Sequence, residues 1–312
     1  MVDKVSVMEE GWDHLIILDA CRYDYFSKVY RDYLRGKLKK AISLGSDTVE
    51  WCKKSFRKRY NDVVYISANP IVNSKVEVEG FTARKHFHRV VDVWDRGWDE
   101  KLGTVHPKEV NKATQKLKDD YPHKRFIIHY LQPHYPYLVY KLRTPRGRPK
   151  ISHGRILRSP AQPPLSVRAR MKLLHACVYL AKHTTSWQIP TTSWKIRGLL
   201  NLPPASPMDA VRRRIGESGL RQLYKDNLRL VLQYVASLVE DLSGVIIITA
   251  DHGERLGEGG AYSHRAGLSD PLLLEVPWFK VEKVVRTKKH HKENEKKRIK
   301  RRIKELKALG EL

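Results

Sequence analysis

The feature that most constrains the fold of this sequence is a repeated alternation between short aliphatic runs and amphipathic segments. The clearest runs are LIIL at 15–18, VVYI at 63–66, FII at 126–128 and VIII at 245–248. Runs this short and apolar are typical of strands buried on both faces of a sheet. Strands that alternate with helices favour a doubly wound α/β fold, with a mainly parallel sheet and helices on both faces.

The boundaries of these elements follow from polar and turn-forming residues. Asp47 followed by Glu50 is a capping-box pattern, Pro107 suits a first helical turn, and Gly244 suits a helix end. We expect strands at 13–20, 39–46, 62–68, 124–131 and 245–250, and helices at 21–34, 47–60, 106–122 and 218–244.

Positive charge is concentrated in two blocks of the chain. Residues 141–206 contain thirteen Lys and Arg and no Asp or Glu, and residues 283–307 contain thirteen against three Glu. We interpret 141–206 as a Pro-rich basic insertion, with one helix near 166–182, in a catalytic domain spanning 1–282. Residues 283–312 then form a basic amphipathic helical tail.

Composition points to an anionic partner. The formal net charge of the 312-residue chain is +26, which favours nucleic acid, a membrane surface or a polyanionic substrate. The first residues lack the pattern of a signal peptide, and no apolar run approaches the roughly 20 residues that span a bilayer. The three cysteines have no paired spacing and fit a reducing compartment. We therefore expect a cytoplasmic protein, with peripheral contact to the inner membrane surface through its basic blocks.

Polar residues follow three of the predicted strands. Asp19 follows the first, His129–His134 overlaps the end of the fourth, and Asp251 with His252 follows the last. Ligands of such sheets bind beyond the carboxyl ends of the strands. Two carboxylates and an imidazole suit a divalent cation, with Mn²⁺, Zn²⁺, Mg²⁺ and Ca²⁺ all open. The sequence predicts a metal site at Asp19, Asp251 and His252.

A hydroxyl beside such a cation is a candidate nucleophile, because the metal lowers its pKa. Ser46 and Thr48 lie at a strand-to-helix turn, where free backbone N–H groups also favour an anion. The structural alternative is that Ser46 or Asp47 only caps the helix.

Three segments resemble the alkaline phosphatase superfamily, specifically its sulfatase-like branch. They are HLIILDACRYD at 14–24, HYLQPHYPY at 129–137 and IITADHGERLGEGGAYSH at 247–264. The resemblance implies an α/β fold and a metal-dependent hydrolase or transferase acting on phosphate or sulfate esters.

The same resemblance implies roles for individual residues. Asp19, Asp251 and His252 match metal ligands, and Thr48 matches the nucleophile position. His134 matches a histidine near the anionic group of the substrate, and His264 matches a substrate contact or a ligand of a second metal. Arg22, with Asp24, matches an Arg-x-Asp pair that orients the site.

The chain departs from the branch at two places. The string CKKSFR at 52–57 lacks the Pro and Arg of the Cys-x-Pro-Ser-Arg motif, so conversion of Cys52 to formylglycine is not expected. Gln132 stands where many relatives have an acidic residue. Phosphate is favoured over sulfate, because a threonine nucleophile needs no maturation enzyme. Two other classes stay open: a catalytically silent protein that binds anionic glycan or lipid, and a basic nucleic-acid-binding protein.

Overall fold

The computed structural model describes residues 4–140, 150–152, 155–157, 172, 202, 204 and 207–284. Its strands are β1 His14–Leu18, β2 Leu34–Ile42, β3 Tyr60–Ser67, β4 Phe87–Asp92, β5 Trp98–Asp99, β6 Thr104–Val105, β7 Arg125–Tyr130, β8 Lys150–Ser152, β9 Arg155–Leu157, β10 Ile246–Thr249, β11 Arg255–Leu256, β12 Tyr262–Ser263 and β13 Glu275–Val284. Its helices are α1 Tyr23–Val29, α2 Thr48–Ser55, α3 Val93–Arg96, α4 Pro107–Asp120, α5 Pro207–Val239 and α6 Pro271–Leu274.

Seven strands form the central sheet, in the order β2-β13-β10-β1-β7-β3-β4. The pairings of β10 with β1, β1 with β7, β7 with β3 and β3 with β4 are parallel, whereas β13 runs antiparallel to both of its neighbours. All five residues of β1 are buried, as the aliphatic run at its centre predicts. The mainly parallel sheet is confirmed.

Helices cover both faces of this sheet. On one face, Tyr130 donates a 2.6 Å hydrogen bond to the side chain of Asn111 in α4. On the other, the ring of His129 lies 6.5 Å from the ring of Trp51 in α2. Because successive residues of a strand point to opposite faces, α4 and α2 lie on opposite sides of β7. The doubly wound arrangement is therefore also confirmed.

Several predicted boundaries were wrong. β2 begins at Leu34, five residues before the predicted start. The first half of this strand is half-exposed, and its outward residues Arg35, Lys37 and Lys39 are charged, so the alternation typical of a strand was not recognised. The helix expected over 21–34 accordingly stops at Val29 and is followed by one 3₁₀ turn. The helix expected over 218–244 is the second segment of α5, which follows a break at Gly216 close to the expected start and ends at Val239 rather than at residue 244.

Two sheet strands were not predicted at all. β4 pairs at the sheet edge and has only one buried residue, so it lacks an aliphatic run. β13 contains Pro277, which weakens a strand pattern. Gly244 does adopt a left-handed φ of 86°, but in the turn before β10 rather than at a helix end.

Aromatic packing anchors α2 to the sheet. The ring of Phe56, just after α2, lies 5.1 Å from that of Trp51 and 4.8 Å from that of Phe87. All three side chains are buried. Full burial of such a side chain contributes about 1.5–3 kcal/mol, so the first residue of α2 is held firmly over the sheet.

The chain divides into two compact units. The first comprises Met1–Leu157, Gln222–Glu254 and His264–Leu312, and the second comprises Arg158–Arg221 and Arg255–Ser263. Within the second, Tyr262 donates a 2.6 Å hydrogen bond to Glu217. The helix expected near 166–182 and the tail expected over 283–312 lie outside the residues described, apart from Lys172 and the end of β13. No helix in the described part of the chain is long and apolar enough to cross a membrane.

Candidate active site and metal centre

Strand register brings Asp19 and Asp251 together. β1 and β10 are parallel neighbours, with Ile17 opposite Thr249. Asp19 and Asp251 each lie two residues beyond this pair, so both reach the same end of the parallel strands. The backbone N–H of Ala20 donates a 3.1 Å hydrogen bond to Asp251 Oδ1, and both carboxylates are buried.

Three side-chain oxygen atoms lie within 3.9 Å of His252 Nε2. His252 Nε2 lies 3.9 Å from Asp19 Oδ1 and 3.4 Å from Asp251 Oδ2. Thr48 Oγ1 lies 2.7 Å from Asp251 Oδ2 and 3.3 Å from His252 Nε2. Ligands of a tetrahedral zinc ion are spaced by about 3.4 Å, so these atoms can hold a small divalent cation with little movement.

The hydrogen bond at Nδ1 of His252, the ring nitrogen that faces away from the carboxylates, supports a role for His252 as a metal ligand. His252 Nδ1 lies 2.8 Å from the backbone oxygen of Gly253, which accepts hydrogen bonds only. The proton therefore resides on Nδ1, and the lone pair of Nε2 points toward Thr48 and the carboxylates. A histidine oriented in this way is typical of metal ligands.

The two carboxylates need a positive partner. Burial, and next the charge of Asp251, raise the pKa of Asp19 well above its usual value. Burial also raises the pKa of Asp251, but His252, His129 and the Thr48 hydroxyl outweigh it and hold that pKa below its usual value. Among the described residues, only histidines lie within ion-pair distance of either carboxylate. The donor set thus fits a divalent cation.

Thr48 is positioned by the start of α2. Asp47 is the N-cap, and its Oδ1 accepts a 2.8 Å hydrogen bond from the backbone N–H of Glu50. Asn69 Nδ2 donates a 2.7 Å hydrogen bond to Asp19 Oδ2 and lies 3.4 Å from Thr48 Oγ1. The hydroxyl therefore faces the carboxylate cluster.

Ser46 points elsewhere. Its Oγ lies 2.9 Å from Glu50 Oε2 and 2.9 Å from the backbone oxygen of Arg265, and it accepts a 3.0 Å hydrogen bond from the N–H of Leu268. Glu50 Oε2 accepts the N–H of Ser46 at 2.8 Å, so the second half of the expected capping box is displaced by one residue. Ser46 ties the loop after His264 to the start of α2.

Glu50 is held in its charged form by this network. Although burial raises its pKa, hydrogen bonds from Lys54, from the N–H and hydroxyl of Ser46 and from the N–H of Gly267 lower it to about 2. The ionised carboxylate thereby joins α2 to the loop that carries His264.

A second cluster lies beside the first. His264 Nδ1 is 3.1 Å from Glu254 Oε1, and His134 Nε2 is 3.9 Å from Glu254 Oε2. Burial lowers the pKa of His264, but the charge of Glu254 outweighs it, so that pKa lies above its usual value. The rings of His252 and His264 are 4.1 Å apart. This trio could hold a second cation or bind an anionic group.

Arg22 orients the second cluster without entering it. Its Nε and Nη2 donate hydrogen bonds of 2.9 and 2.8 Å to the two carboxylate oxygens of Asp24. Its Nη1 donates a 3.2 Å hydrogen bond to the backbone oxygen of Glu254. The Arg-x-Asp pair thus braces the chain where Glu254 leaves the sheet.

Cys52 is unsuited to be the nucleophile. It is fully buried in α2, one turn beyond Thr48. Burial raises the pKa of its thiol well above the usual value, which disfavours the reactive thiolate. This environment agrees with the departure from the Cys-x-Pro-Ser-Arg motif.

Sequence reasoning placed His129 in the polar cluster at 129–134 without giving it a role, and it missed Asn69 and Glu254. His129 is fully buried; its Nδ1 lies 2.8 Å from the hydroxyl of Tyr65, and its Nε2 is 3.9 Å from both Asp19 Oδ2 and Asp251 Oδ2. Asn69 follows the strand YISA, and Glu254 follows Asp-His-Gly. The available signal was a polar residue at the carboxyl end of a strand, which we applied only to Asp and His.

Gly253 has a packing role that explains the glycine after Asp251 and His252. A β-carbon at this position would collide with the backbone oxygen of Leu272. The N–H of Gly253 donates a 2.7 Å hydrogen bond to the backbone oxygen of Leu273. The close approach of α6 to the strand end therefore requires glycine.

We expect Gly253→Ala to destabilise the fold by about 2–3 kcal/mol, because backbone must move to admit the methyl group. Thermal unfolding of the variant measures this loss. Gly11→Ala is the matched control, since no atom lies within 4 Å of its added β-carbon. Equal stability of both variants would contradict the packing role.

Comparison with known proteins gives matches in structure only. No family model and no curated protein matches the sequence. The soluble domain of lipooligosaccharide phosphoethanolamine transferase A from Neisseria meningitidis is similar at TM-score 0.45 and 12% identity, covering 85% of this chain and 75% of that one. A putative sulfatase from Bacteroides thetaiotaomicron is similar at 0.43 and 11%, covering 86% and 63%.

A third similar structure is a phosphonate monoester hydrolase from Silicibacter pomeroyi, at TM-score 0.39 and 13% identity, covering 91% of this chain and 68% of that one. These three likenesses concern the fold alone.

Proposed function

We propose that this protein is a metal-dependent hydrolase or transferase of phosphate or sulfate esters, with Thr48 as the nucleophile and phosphate as the favoured substrate. One observation carries the proposal: the Thr48 hydroxyl donates a 2.7 Å hydrogen bond to Asp251 and lies 3.3 Å from the lone pair of His252. A hydroxyl within the donor set of a cation site, at a helix start, suits in-line attack on an ester.

Each step is assigned to a residue of the chain. Thr48 Oγ1 gives its proton to Asp251 Oδ2 and forms a bond to phosphorus, while the bond between phosphorus and the leaving oxygen breaks. A cation bound by Asp19, Asp251 and His252 would stabilise the negative charge on the threonine oxygen. Water or an acceptor alcohol then attacks phosphorus and gives its proton to the histidine that protonated the first leaving oxygen. The bond between phosphorus and Thr48 Oγ1 breaks, and Oγ1 takes back the proton held by Asp251.

The other side chains stabilise charge. The first N–H groups of α2 lack intrahelical partners and can bind a non-bridging oxygen. His134 and His264 are held by Glu254 and can donate hydrogen bonds to the phosphoryl oxygens or protonate the leaving oxygen. Asn69 orients Asp19 and the nucleophile.

Replacing the nucleophile tests this proposal. With aryl phosphate, phosphodiester and aryl sulfate substrates and each of Mn²⁺, Zn²⁺, Mg²⁺ and Ca²⁺, we expect Thr48→Ala to lower kcat/KM at least about 10³-fold. Thr48→Ser keeps a hydroxyl and should keep part of the activity, and Ser46→Ala should keep most of it. Mass spectrometry should find a phosphoryl group on Thr48 after rapid quenching. Full activity of Thr48→Ala, or an aldehyde at Cys52, would refute the assignment.

Metal binding has a readout that does not depend on turnover. After treatment with a chelator, addition of Zn²⁺ or Mn²⁺ at about 100 times its dissociation constant should stabilise the wild type by about 2.7 kcal/mol. Thermal unfolding measures this shift. Asp19→Asn should lose most of it because one ligand charge is removed, whereas Asp24→Asn, outside the cluster, should retain it. An identical shift in both variants would place the cation elsewhere.

We also propose cytoplasmic placement and peripheral contact with an anionic membrane through residues 141–206 and the tail 283–312. Their uncompensated positive charge supports this proposal. Deleting 286–312 should leave the fold and turnover of small esters intact, while weakening salt-sensitive sedimentation with anionic vesicles. If the deletion unfolds the protein, the tail belongs to the core instead.

A further inference from the structure

A row of exposed basic side chains lies on one face of the edge strand β2 and its neighbour β13. Lys37 in β2 is directly opposite Lys280 in β13, and Arg35 and Lys39 lie on the same side of β2 as Lys37. All four side chains are exposed. We call these four residues the basic face. On the other side of the same strands, Phe279 packs against α1 through Phe26, with ring centroids 5.7 Å apart.

The basic face is electrostatically unfavourable for the isolated chain. Like charges directly opposite one another destabilise an antiparallel pair, and the register places Lys37 directly opposite Lys280. None of the four side chains forms an ion pair with any residue that the structure describes. By contrast, Lys40 on the other side of β2 pairs with Glu275 at 2.7 Å.

Protection of the sheet edge does not account for this arrangement. Lysines on an edge strand commonly prevent pairing with another chain, and β2 is an edge strand. Lys280, however, lies on β13, which is paired on both sides. A charge there protects no free edge and adds repulsion against Lys37. The cluster therefore calls for an external anion.

We infer that the basic face is a docking surface for an anionic membrane. Alternate residues of a strand are about 6.8 Å apart, so the side chains from Arg35 to Lys39 present charge along a straight, flat row. Three of the four residues are lysines, whose compact charges suit dispersed headgroups better than bidentate recognition. In the sequence, β13 is followed by the Lys- and Arg-rich residues 285–307.

Nucleic acid fits this surface less well. The aromatic neighbour within the strands, Trp278 opposite Lys39, is only 9% exposed and offers no ring for base stacking. The face belongs to a seven-stranded sheet, and it is neither a helix nor an isolated two-stranded ribbon of the kind that enters the major groove. The inference does not depend on the chemistry proposed for Thr48, because none of the four residues belongs to that site.

Charge neutralisation in the full-length chain tests this surface. We expect the triple variant Lys37→Gln, Lys39→Gln, Lys280→Gln to bind vesicles of phosphatidylcholine and phosphatidylserine at least about tenfold more weakly than wild type, since each basic residue near such a surface contributes substantially. The matched control neutralises three exposed lysines on other elements: Lys85→Gln, Lys101→Gln, Lys116→Gln. The control has the same net charge and should lose less than about threefold.

Two further measurements distinguish the outcomes. The triple variant should unfold at a temperature no lower than wild type, since it removes the repulsion between Lys37 and Lys280, and its turnover of soluble esters should be unchanged. Equal losses in the two variants would reduce the effect to net charge and overturn the inference. So would a loss of binding to duplex DNA without a loss of vesicle binding. Normal vesicle binding by the triple variant would overturn the inference, whether or not the protein hydrolyses or transfers esters.

Discussion

The repulsion between two buried carboxylates, Asp19 and Asp251, is the constraint around which this structure is organised. Parallel pairing of β1 and β10 forces both to the same sheet edge, where solvent does not screen them. Everything nearby serves to compensate that charge. Asn69 donates to Asp19, Thr48 and the Ala20 N–H donate to Asp251, and His252 directs a lone pair between them. Hydrogen bonds alone leave the cluster short of positive charge, which the divalent cation of our proposal would supply.

The nucleophile of our proposal derives its position from packing as much as from polar contacts. Trp51 and Phe56 fix α2 on the sheet, and the Glu50 carboxylate fixes its first turn to the loop after His264. The carboxylate cluster, the second cluster and Thr48 are thus all held by the ends of the β-strands and the start of α2. Preorganisation of this kind is what electrostatic stabilisation of a transition state requires.

The sequence predicted the sheet and the meeting of Asp19 and Asp251 for the same physical reason. Residues buried on both faces must be aliphatic, and a charge at the end of such a strand stands out against them, as Asp19 and Asp251 do.

The signal fails where burial is partial. β4 and the first half of β2 are half exposed and carry charges, so their period of two is obscured. The roles of His129, Asn69 and Glu254 were missed because they depend on what these residues face across the sheet, and one sequence does not show which strands are neighbours. Ser46 and Thr48 were left as alternatives because the direction of a side chain at a helix start depends on contacts with the distant loop at 265–268.

The antiparallel direction of β13 determines how far the end of this strand lies from the carboxylate cluster. The parallel strands have their carboxyl ends beside the carboxylate cluster. β13 starts near these ends and runs in the opposite direction for ten residues. At about 3.4 Å per residue, it delivers the chain roughly 30 Å from the carboxylate cluster. The end of β13 therefore lies far from the proposed site, and a label attached at this strand end would not contact the carboxylate cluster.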